Sequence, residues 1–253
     1  MKLLTGVFLI VFCISIHTAG AQSISLKPYF GYATLRMNDV NESMQNRIGL
    51  LRQITQQPLP FPEELNGNTG WGIMAEYRWE DDYFLNVASF YLSDKTSADR
   101  LDPGMLNYHF DRQVTYFEFS IGLHYFWNYS SWKRLNPYMG GAAGLGFGWT
   151  ESTLQYSGYG NEVNDRSDFS SNNLTAYFCA GLHFRITTLF YLTTEAGYRH
   201  ANMDQMEGKL QVYENLNNQL NAYTRNNHIT ETYYDFSGFY LTGGLGFVIP
   251  LFR

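Results

Sequence analysis

The sequence predicts an all-β fold, an eight-stranded antiparallel up-and-down β-barrel that crosses a membrane. Three observations lead to this prediction. Apolar and polar residues alternate along eight segments of the chain, which is the period of a strand with two unlike faces. The links between these segments are short and long in turn. Aromatic residues make up 17% of the chain, while charged residues make up only 16%.

The N-terminus has the features of a secretory signal peptide, which we predict to span residues 1–21. Lys2 precedes an apolar run, residues 3–16, and the small residues Ala19-Gly20-Ala21 end the segment, so cleavage is expected directly after them. The apolar run is shorter than the ~20 residues that a membrane-spanning helix needs. The barrel domain is therefore expected to comprise residues 22–253.

Composition and charge exclude several classes of protein. The net charge is −6, and no basic patch suited to nucleic acid is present. After the signal peptide, no stretch approaches ~18 uninterrupted apolar residues, which excludes helical membrane spans. Cys13 is expected to leave with the signal, so Cys179 has no partner for an internal disulfide. A soluble β domain and a membrane β-barrel are the two classes that remain.

The alternation is clearest in residues 71–79, where Trp71, Ile73, Tyr77 and Trp79 share one face and Glu76 and Arg78 share the other. Each such segment is close to the ~9 to 11 residues that a tilted transmembrane strand needs. The eight predicted strands are 24–36, 71–79, 83–93, 115–127, 137–149, 174–186, 190–199 and 238–252.

The links fit a barrel with short periplasmic turns and long extracellular loops. Three links are short, and they join strands two and three, four and five, and six and seven. The other four are long, the largest being 37–70 and 200–233, and the polar segment 156–173 is expected to be a flexible exposed loop. Both termini are then expected at the periplasmic end.

The bulky apolar faces are expected to meet lipid, because an eight-stranded barrel has room inside only for side chains. In a soluble barrel of the lipocalin type the two faces would be reversed. Aromatic residues near the strand ends would form the interfacial girdle. The predicted girdle comprises Trp71, Trp79, Tyr83, Tyr125, Trp127, Tyr138 and Trp149.

Three motifs carry a resemblance to a known family: PYMGGAAGLGFG in the fifth strand, EAGYRH in the seventh and the ending GFYLTGGLGFVIPLF. On these motifs the mature chain resembles the OmpA-like, or opacity-type, small outer-membrane β-barrel proteins. Its many aromatic residues and long loops are similar to those of members from the Bacteroidetes. The resemblance implies the outer membrane of a Gram-negative bacterium, in contact with its lipid and lipopolysaccharide. Family members usually end on an aromatic residue, whereas here Phe252 is penultimate and Arg253 is terminal.

Charged and titratable residues on the faces assigned to the lumen are expected to form ion pairs, because an unpaired buried charge is costly. The simplest hypothesis is a structural polar filling. The alternative is a narrow conduit or a proton-sensitive switch that uses His124 and His183. The predicted network comprises Glu76, Arg78, Glu118, His124, His183, Arg185, Glu195 and Arg199.

An enzymatic hypothesis is weaker. Some small outer-membrane barrels are lipid A deacylases, whose site resembles a His-x-Ser pair near a strand end. Here His200 is followed two residues later by Asn202, which has no hydroxyl to activate. The six histidines show no short ligand spacing, so no metal and no other cofactor is expected.

Two long loops contain apolar residues at helical spacing, and each is expected to carry a short helix. These helices would either close the barrel as a lid or dock a partner protein or an apolar ligand at its mouth. The residues assigned to this lid or docking surface are Ile48, Leu51, Ile54, Leu210, Tyr213, Leu216 and Leu220. The function predicted from the sequence is a structural or interaction barrel, in adhesion or partner docking, without catalysis.

Overall fold

The computed structural model describes residues 23–78, 82–127, 134–230 and 232–250. Eight long antiparallel strands form a closed ring in chain order, because the last strand pairs with both the seventh and the first. These strands are β1 (Ser23–Thr34), β2 (Gly67–Arg78), β3 (Tyr83–Asp102), β4 (Leu106–Phe126), β5 (Leu135–Gly158), β6 (Asn161–Arg185), β7 (Phe190–His200) and β12 (Gly238–Pro250). The predicted eight-stranded up-and-down barrel is confirmed.

Five smaller elements lie at the extracellular end: α1 (Asn38–Thr55), β8 (Asn202–Met203), β9 (Met206–Leu216), β10 (Gln219–Thr230) and β11 (Tyr234–Asp235). Among the described residues, no helix is long and apolar enough to cross a membrane. The predicted signal peptide, Trp79 and the last residues, Phe252 and Arg253, lie outside the described part of the chain.

Alternate side chains of each strand point to opposite surfaces of the barrel. In β2, Trp71 and Ile73 are exposed on the outside, whereas Met74 and Glu76 are buried inside. Together the outward side chains form a continuous apolar belt, which is the surface that a transmembrane barrel presents to lipid. The belt includes Phe30, Phe119, Ile121, Leu123, Leu145, Leu174, Phe178, Leu182, Leu192, Phe239, Leu241, Leu245 and Phe247.

Strands β3 to β6 are much longer than predicted, and they form an extracellular wall of residues 94–114 and 150–173. The predicted flexible loop 156–173 is therefore wrong, because it is part of a hairpin that turns at Tyr159 and Gly160. Both turn residues have positive φ, 53° and 76°, as a tight hairpin turn requires.

The polarity of the two strand faces reverses where the wall begins. In β4, the outward side chains are polar from Asn107 to Gln113 and mostly apolar from Phe117 onward, while Tyr108, Phe110 and Val114 point inward and are buried. The wall faces water and encloses an apolar interior, so its inward face must be the apolar one. This reversal marks the extracellular border of the membrane belt.

One of the two predicted loop helices is present, and the prediction of the other is wrong. Helix α1 lies within 37–70 as expected, but 200–233 contains the hairpin of β9 and β10. Within β9, Met206, Leu210 and Leu216 are separated by even numbers of positions, which fits one face of a strand. Asn217 and Asn218 turn the chain with φ of 54° and 63°, and β9 pairs with the edge of β6.

Helix α1 packs inside the wall and closes the extracellular mouth of the barrel. Its buried face includes Val40, Met44, Ile48 and Leu51. These side chains share one apolar core with wall residues such as Tyr108 and with loop and strand residues above the lumen. We call this assembly the cap; its other buried members include Leu59, Leu65, Phe110, Val114, Leu154, Tyr156, Val163, Phe169, Met203, Met206 and Phe236.

Candidate functional site

The periplasmic half of the lumen is organised around Glu76, whose side chain is fully buried. Lys27 Nζ and His124 Nδ1 lie 3.6 Å and 3.0 Å from Glu76 Oε1. The hydroxyls of Ser25 and Tyr191 donate to Glu76 Oε2 at 3.2 Å and 2.9 Å. Both carboxylate oxygens are therefore satisfied, as a charge held in this narrow interior requires.

A second buried carboxylate, Glu195, lies at mid-height in the lumen. Tyr138 Oη donates to its Oε2 at 2.7 Å, and Tyr240 Oη donates to its Oε1 at 3.0 Å. Within the described part of the chain, no lysine or arginine forms a salt bridge with this carboxylate. Next to it, Cys179 Sγ lies 3.7 Å from His124 Nε2, so His124 connects the Glu76 and Glu195 groups.

The third carboxylate, Glu118, lies nearer the extracellular end. Tyr116 Oη donates to Glu118 Oε2 at 2.5 Å. Arg199 lines the same small cavity as Glu118, and its guanidinium lies 4.7 Å from the ring centres of both Phe90 and Tyr116. The cation thus rests against aromatic faces, which stabilise it where water is excluded.

Six of the eight predicted lumen residues are buried inside the barrel: Glu76, Glu118, His124, His183, Glu195 and Arg199. The other two, Arg78 and Arg185, lie at the periplasmic mouth and line a cavity of about 410 Å³. Arg185 is exposed there and Arg78 is half-buried. The mouth is therefore basic, whereas the interior holds the carboxylates.

The predicted girdle is largely on the outer surface, with one error. Trp71, Tyr83 and Trp149 are exposed, and the half-buried Tyr125 and Trp127 contact each other. Tyr138, however, is buried in the lumen and is 1% exposed. It lies on the same face of β5 as the small inward residues Gly140 and Ala142, so the period of two places it inside.

The sequence prediction omitted several residues of the lumen. Lys27, Tyr191, Tyr240 and Tyr116 all take part in the hydrogen bonds and ion pair described above. The signal that could have found the tyrosines is their position, because they alternate in phase with polar residues such as Glu118 and not with the apolar belt.

The cap is held by specific polar contacts as well as by apolar packing. The amide of Asn41 donates to Leu65 O at 3.0 Å and accepts from Leu65 N at 2.9 Å. Arg112 Nη1 donates to Val40 O at 3.3 Å, and burial lowers the pKa of its guanidinium. These contacts fix α1 and the segment that follows it inside the wall.

One ion-pair network ties α1 to the neighbouring sheet. Arg47 binds Asp165 of β6 and Glu214 of β9 at once. Burial alone would lower the pKa of Arg47, but its hydrogen bonds and the charges of the two carboxylates outweigh burial and raise it. The Arg47 network therefore joins the helix, the wall and the β9–β10 hairpin.

The residues assigned to a lid or docking surface separate into two groups. Ile48 and Leu51 are buried in the cap, and Leu210 and Leu216 pack against it. Ile54 is half-buried. Tyr213 and Leu220 are exposed on the β9–β10 hairpin, and Leu220 is 68% exposed. Helix α1 thus supplies the lid, and the hairpin supplies the exposed apolar residues.

The fold places a serine beside His200 that the sequence spacing did not reveal. Ser237 Oγ lies 3.5 Å from His200 Nδ1. The same oxygen accepts a hydrogen bond from Ala201 N at 2.8 Å, and Ser237 is 1% exposed while His200 is exposed. The serine therefore joins the residue that follows β7 to the residue that precedes β12.

No family model and no curated protein matches the chain. Solved structures with a similar overall shape are small membrane barrels. They include Neisserial surface protein A (12% identity, covering 90% of this chain and 98% of that chain, TM-score 0.45). A second is Ail, the attachment invasion locus protein of Yersinia pestis (14% identity, covering 92% of this chain and 100% of that chain, TM-score 0.38). A third is a major outer membrane protein from Thermus thermophilus (9% identity, covering 91% of this chain and 100% of that chain, TM-score 0.40).

Proposed function

We propose that this protein is a closed outer-membrane barrel that acts in structure and interaction, docking a partner protein through the β9–β10 hairpin. The observation that carries the proposal is the contrast between the barrel and the hairpin. The lumen is filled by side chains and covered by the cap, whereas the hairpin is an additional element outside the closed ring. It exposes an unshared sheet edge and apolar side chains at the cell surface.

The β9–β10 hairpin has the features of a docking surface. Within the described residues, β10 pairs only with β9, so its outer edge carries backbone groups available to another strand. Leu220 and Ile229 on β10 are 68% and 46% exposed. By contrast, the part of β3 that extends beyond β2, residues 93–102, is bonded through its side chains to the segment after α1. Thr96 Oγ1 donates to Glu63 O at 2.7 Å, and Arg100 Nη1 donates to Pro58 O at 3.0 Å.

The docking role can be tested by copurification from native outer membranes. We expect a defined protein to copurify with the wild-type barrel and to be lost when the hairpin is shortened to a turn between Gly208 and His228, which are register partners. Leu220→Ser with Ile229→Ser should weaken the same association. Leu101→Ser is the matched control, since Leu101 is 71% exposed on a different hairpin. Equal retention in all variants would contradict the proposal.

A closed lumen supports a structural role over the alternative of a narrow conduit. The 410 Å³ cavity at the periplasmic mouth reaches Glu76, but neither Glu118 nor Glu195 lines it. A wide aqueous pore also requires roughly 16 to 18 strands. We expect purified protein in planar bilayers to show no discrete conductance. Steps of conductance that vanish in Glu118→Ala would establish a conduit instead.

The proposed role includes no catalysis. Ser237 is buried and already accepts a backbone hydrogen bond, so it is poorly placed to act as a nucleophile toward lipid. We expect no fatty acid to be released from lipopolysaccharide by the purified protein. Release that is abolished by both His200→Ala and Ser237→Ala would show that the barrel is an acyl hydrolase.

A further inference from the structure

We propose that the lumen binds a single zinc ion through His124, Cys179 and Glu195. These residues come from β4, β6 and β7 and are buried. One potential ligand atom from each lies within 4.8 Å of the other two. The site goes beyond the docking role, because it lies inside the membrane belt, far from the β9–β10 hairpin.

The chemistry of these side chains suits zinc. Zinc binds imidazole nitrogen, thiolate sulfur and carboxylate oxygen at about 2.0 to 2.3 Å, with tetrahedral geometry, which places neighbouring ligand atoms about 3.5 Å apart. The observed separation of Cys179 Sγ and His124 Nε2 is 3.7 Å. Sulfur and nitrogen are thus already spaced for one metal, and Glu195 needs only a small side-chain adjustment to complete a three-residue site.

His124 is held in the orientation that a metal ligand needs. Its Nδ1 faces Glu76 Oε1 at 3.0 Å, so a neutral ring donates its proton there and leaves Nε2 unprotonated toward Cys179. A carboxylate on the far nitrogen of a ligating histidine is the usual supporting contact in zinc sites. Glu76 is itself fixed by Lys27 and Tyr191 and is therefore a positioning residue.

The charges buried in the lumen also favour a cation. Among the described residues, the buried charged side chains are three carboxylates, Glu76, Glu118 and Glu195, and two cations, Lys27 and Arg199. The buried carboxylates outnumber the buried lysine and arginine side chains by one, and a buried charge without a partner is costly. A zinc ion held by Glu195 would place positive charge beside a carboxylate that, among the described residues, forms no salt bridge with a lysine or an arginine.

The ion has a route to the site. The cavity at the periplasmic mouth, about 410 Å³, is lined by Glu76, His183 and Tyr191. Glu76 contacts His124 directly, so only one layer of side chains separates the cavity from the three ligands. An ion from the periplasm would pass Arg78 and Arg185 at the mouth and reach the Glu76 carboxylate before the three ligands.

The test is metal analysis of untagged, folded protein in detergent micelles, stripped with a chelator, equilibrated with zinc chloride and desalted. We expect the wild-type barrel to retain about one zinc per chain, as a three-residue protein site does. Cys179→Ser, His124→Gln and Glu195→Gln should each reduce retention at least tenfold. Glu76→Gln should weaken the affinity by about 10- to 100-fold, because it alters only the supporting contact.

His183→Asn is the matched control, since His183 is buried in the same lumen but is not one of the three ligands. Faster migration of unheated samples in electrophoresis will show which variants fold. With cobalt chloride in place of zinc, the wild type and the control should show a thiolate-to-cobalt absorption band that Cys179→Ser lacks. A folded wild type that retains no zinc, or a ligand variant that retains as much as the control, would overturn the proposal.

Discussion

The interior of the barrel changes character between the membrane-spanning strands and the extracellular wall. In the membrane, the lumen holds buried charges such as Glu76 and Lys27, joined by tyrosine hydroxyls. In the cap, the interior is mainly apolar and is filled by α1 and the inward side chains of the wall. The same strands, β3 to β6, line both regions.

The difference follows from what lies outside each region. Lipid surrounds the membrane-spanning part of the strands, so the outward residues there are apolar and the polar residues of the alternation point inward. Water surrounds the wall, so its apolar residues point inward and need a partner, which α1 supplies. The lumen therefore depends on satisfied hydrogen bonds, while the cap depends on apolar packing. Four substitutions test this contrast.

The largest effect is expected for Glu76→Ala, which leaves Lys27 and His124 buried beside no carboxylate. Removing one partner of a buried ion pair costs about 3 to 5 kcal/mol. The free energy of unfolding, measured by urea titration of protein refolded into lipid vesicles, should fall by this amount. Glu64→Ala, at an exposed position after α1, is the control and should be close to wild type. Equal stabilities for both variants would show that the network does not hold the lumen together.

In the cap, Ile48→Ala should loosen α1, because removing a fully buried isoleucine side chain costs about 2 to 5 kcal/mol. Leu50→Ala, at a position on the same helix that is 48% exposed, should change stability by less than about 0.5 kcal/mol. Hydrogen exchange of the α1 amides should rise only in the first variant. Protection of the barrel strands should be unchanged in both, and a loss of protection there would mean that the two interiors unfold together.

Close packing in the lumen can be tested at Gly181, with Gly243 on the outward face of β12 as the control. A Cβ at Gly181 would lie 2.4 Å from Tyr138 Cζ and 2.6 Å from Thr194 O, whereas at Gly243 the nearest atom, Thr193 O, is 3.8 Å away. Gly181→Ala should therefore cost about 1 to 3 kcal/mol, the usual range for overpacking. Gly243→Ala should cost much less in the same urea titration. A reversed order would be incompatible with the position of Tyr138 in the lumen.

The smallest effect is expected for Arg47→Met. Arg47 is partly exposed beside Asp165 and Glu214, and such pairs contribute about 0.2 to 1 kcal/mol. The loss should be detectable at low salt and should shrink at high salt, because ions screen exposed charges. A loss that is independent of salt would indicate that hydrogen bonds of the guanidinium, shielded from solvent, matter more than its exposed charge.

The fold class and the membrane strands could be predicted from the sequence because each strand carries the alternation within itself. The strand ends could not. In β4 the prediction begins at Thr115, where the outward residues become apolar, although the strand starts at Leu106. The reversed polarity of the wall interrupts the pattern of apolar outward residues, whereas the strand itself continues without a break. Turn residues such as Asn217-Asn218 are the local signal that would have separated a hairpin from a helix.

For the candidate site, the sequence identified the polar residues and their face, but not their partners. Alternation places Glu76, His124 and Glu195 inside the barrel, since a residue's face depends only on its position in its own strand. Which residues meet depends on the register of strands far apart in the chain and on their tilt around the ring. Only the tertiary structure could therefore show that His124, Cys179 and Glu195 converge, and that α1 lies inside the wall, because both are contacts across the barrel.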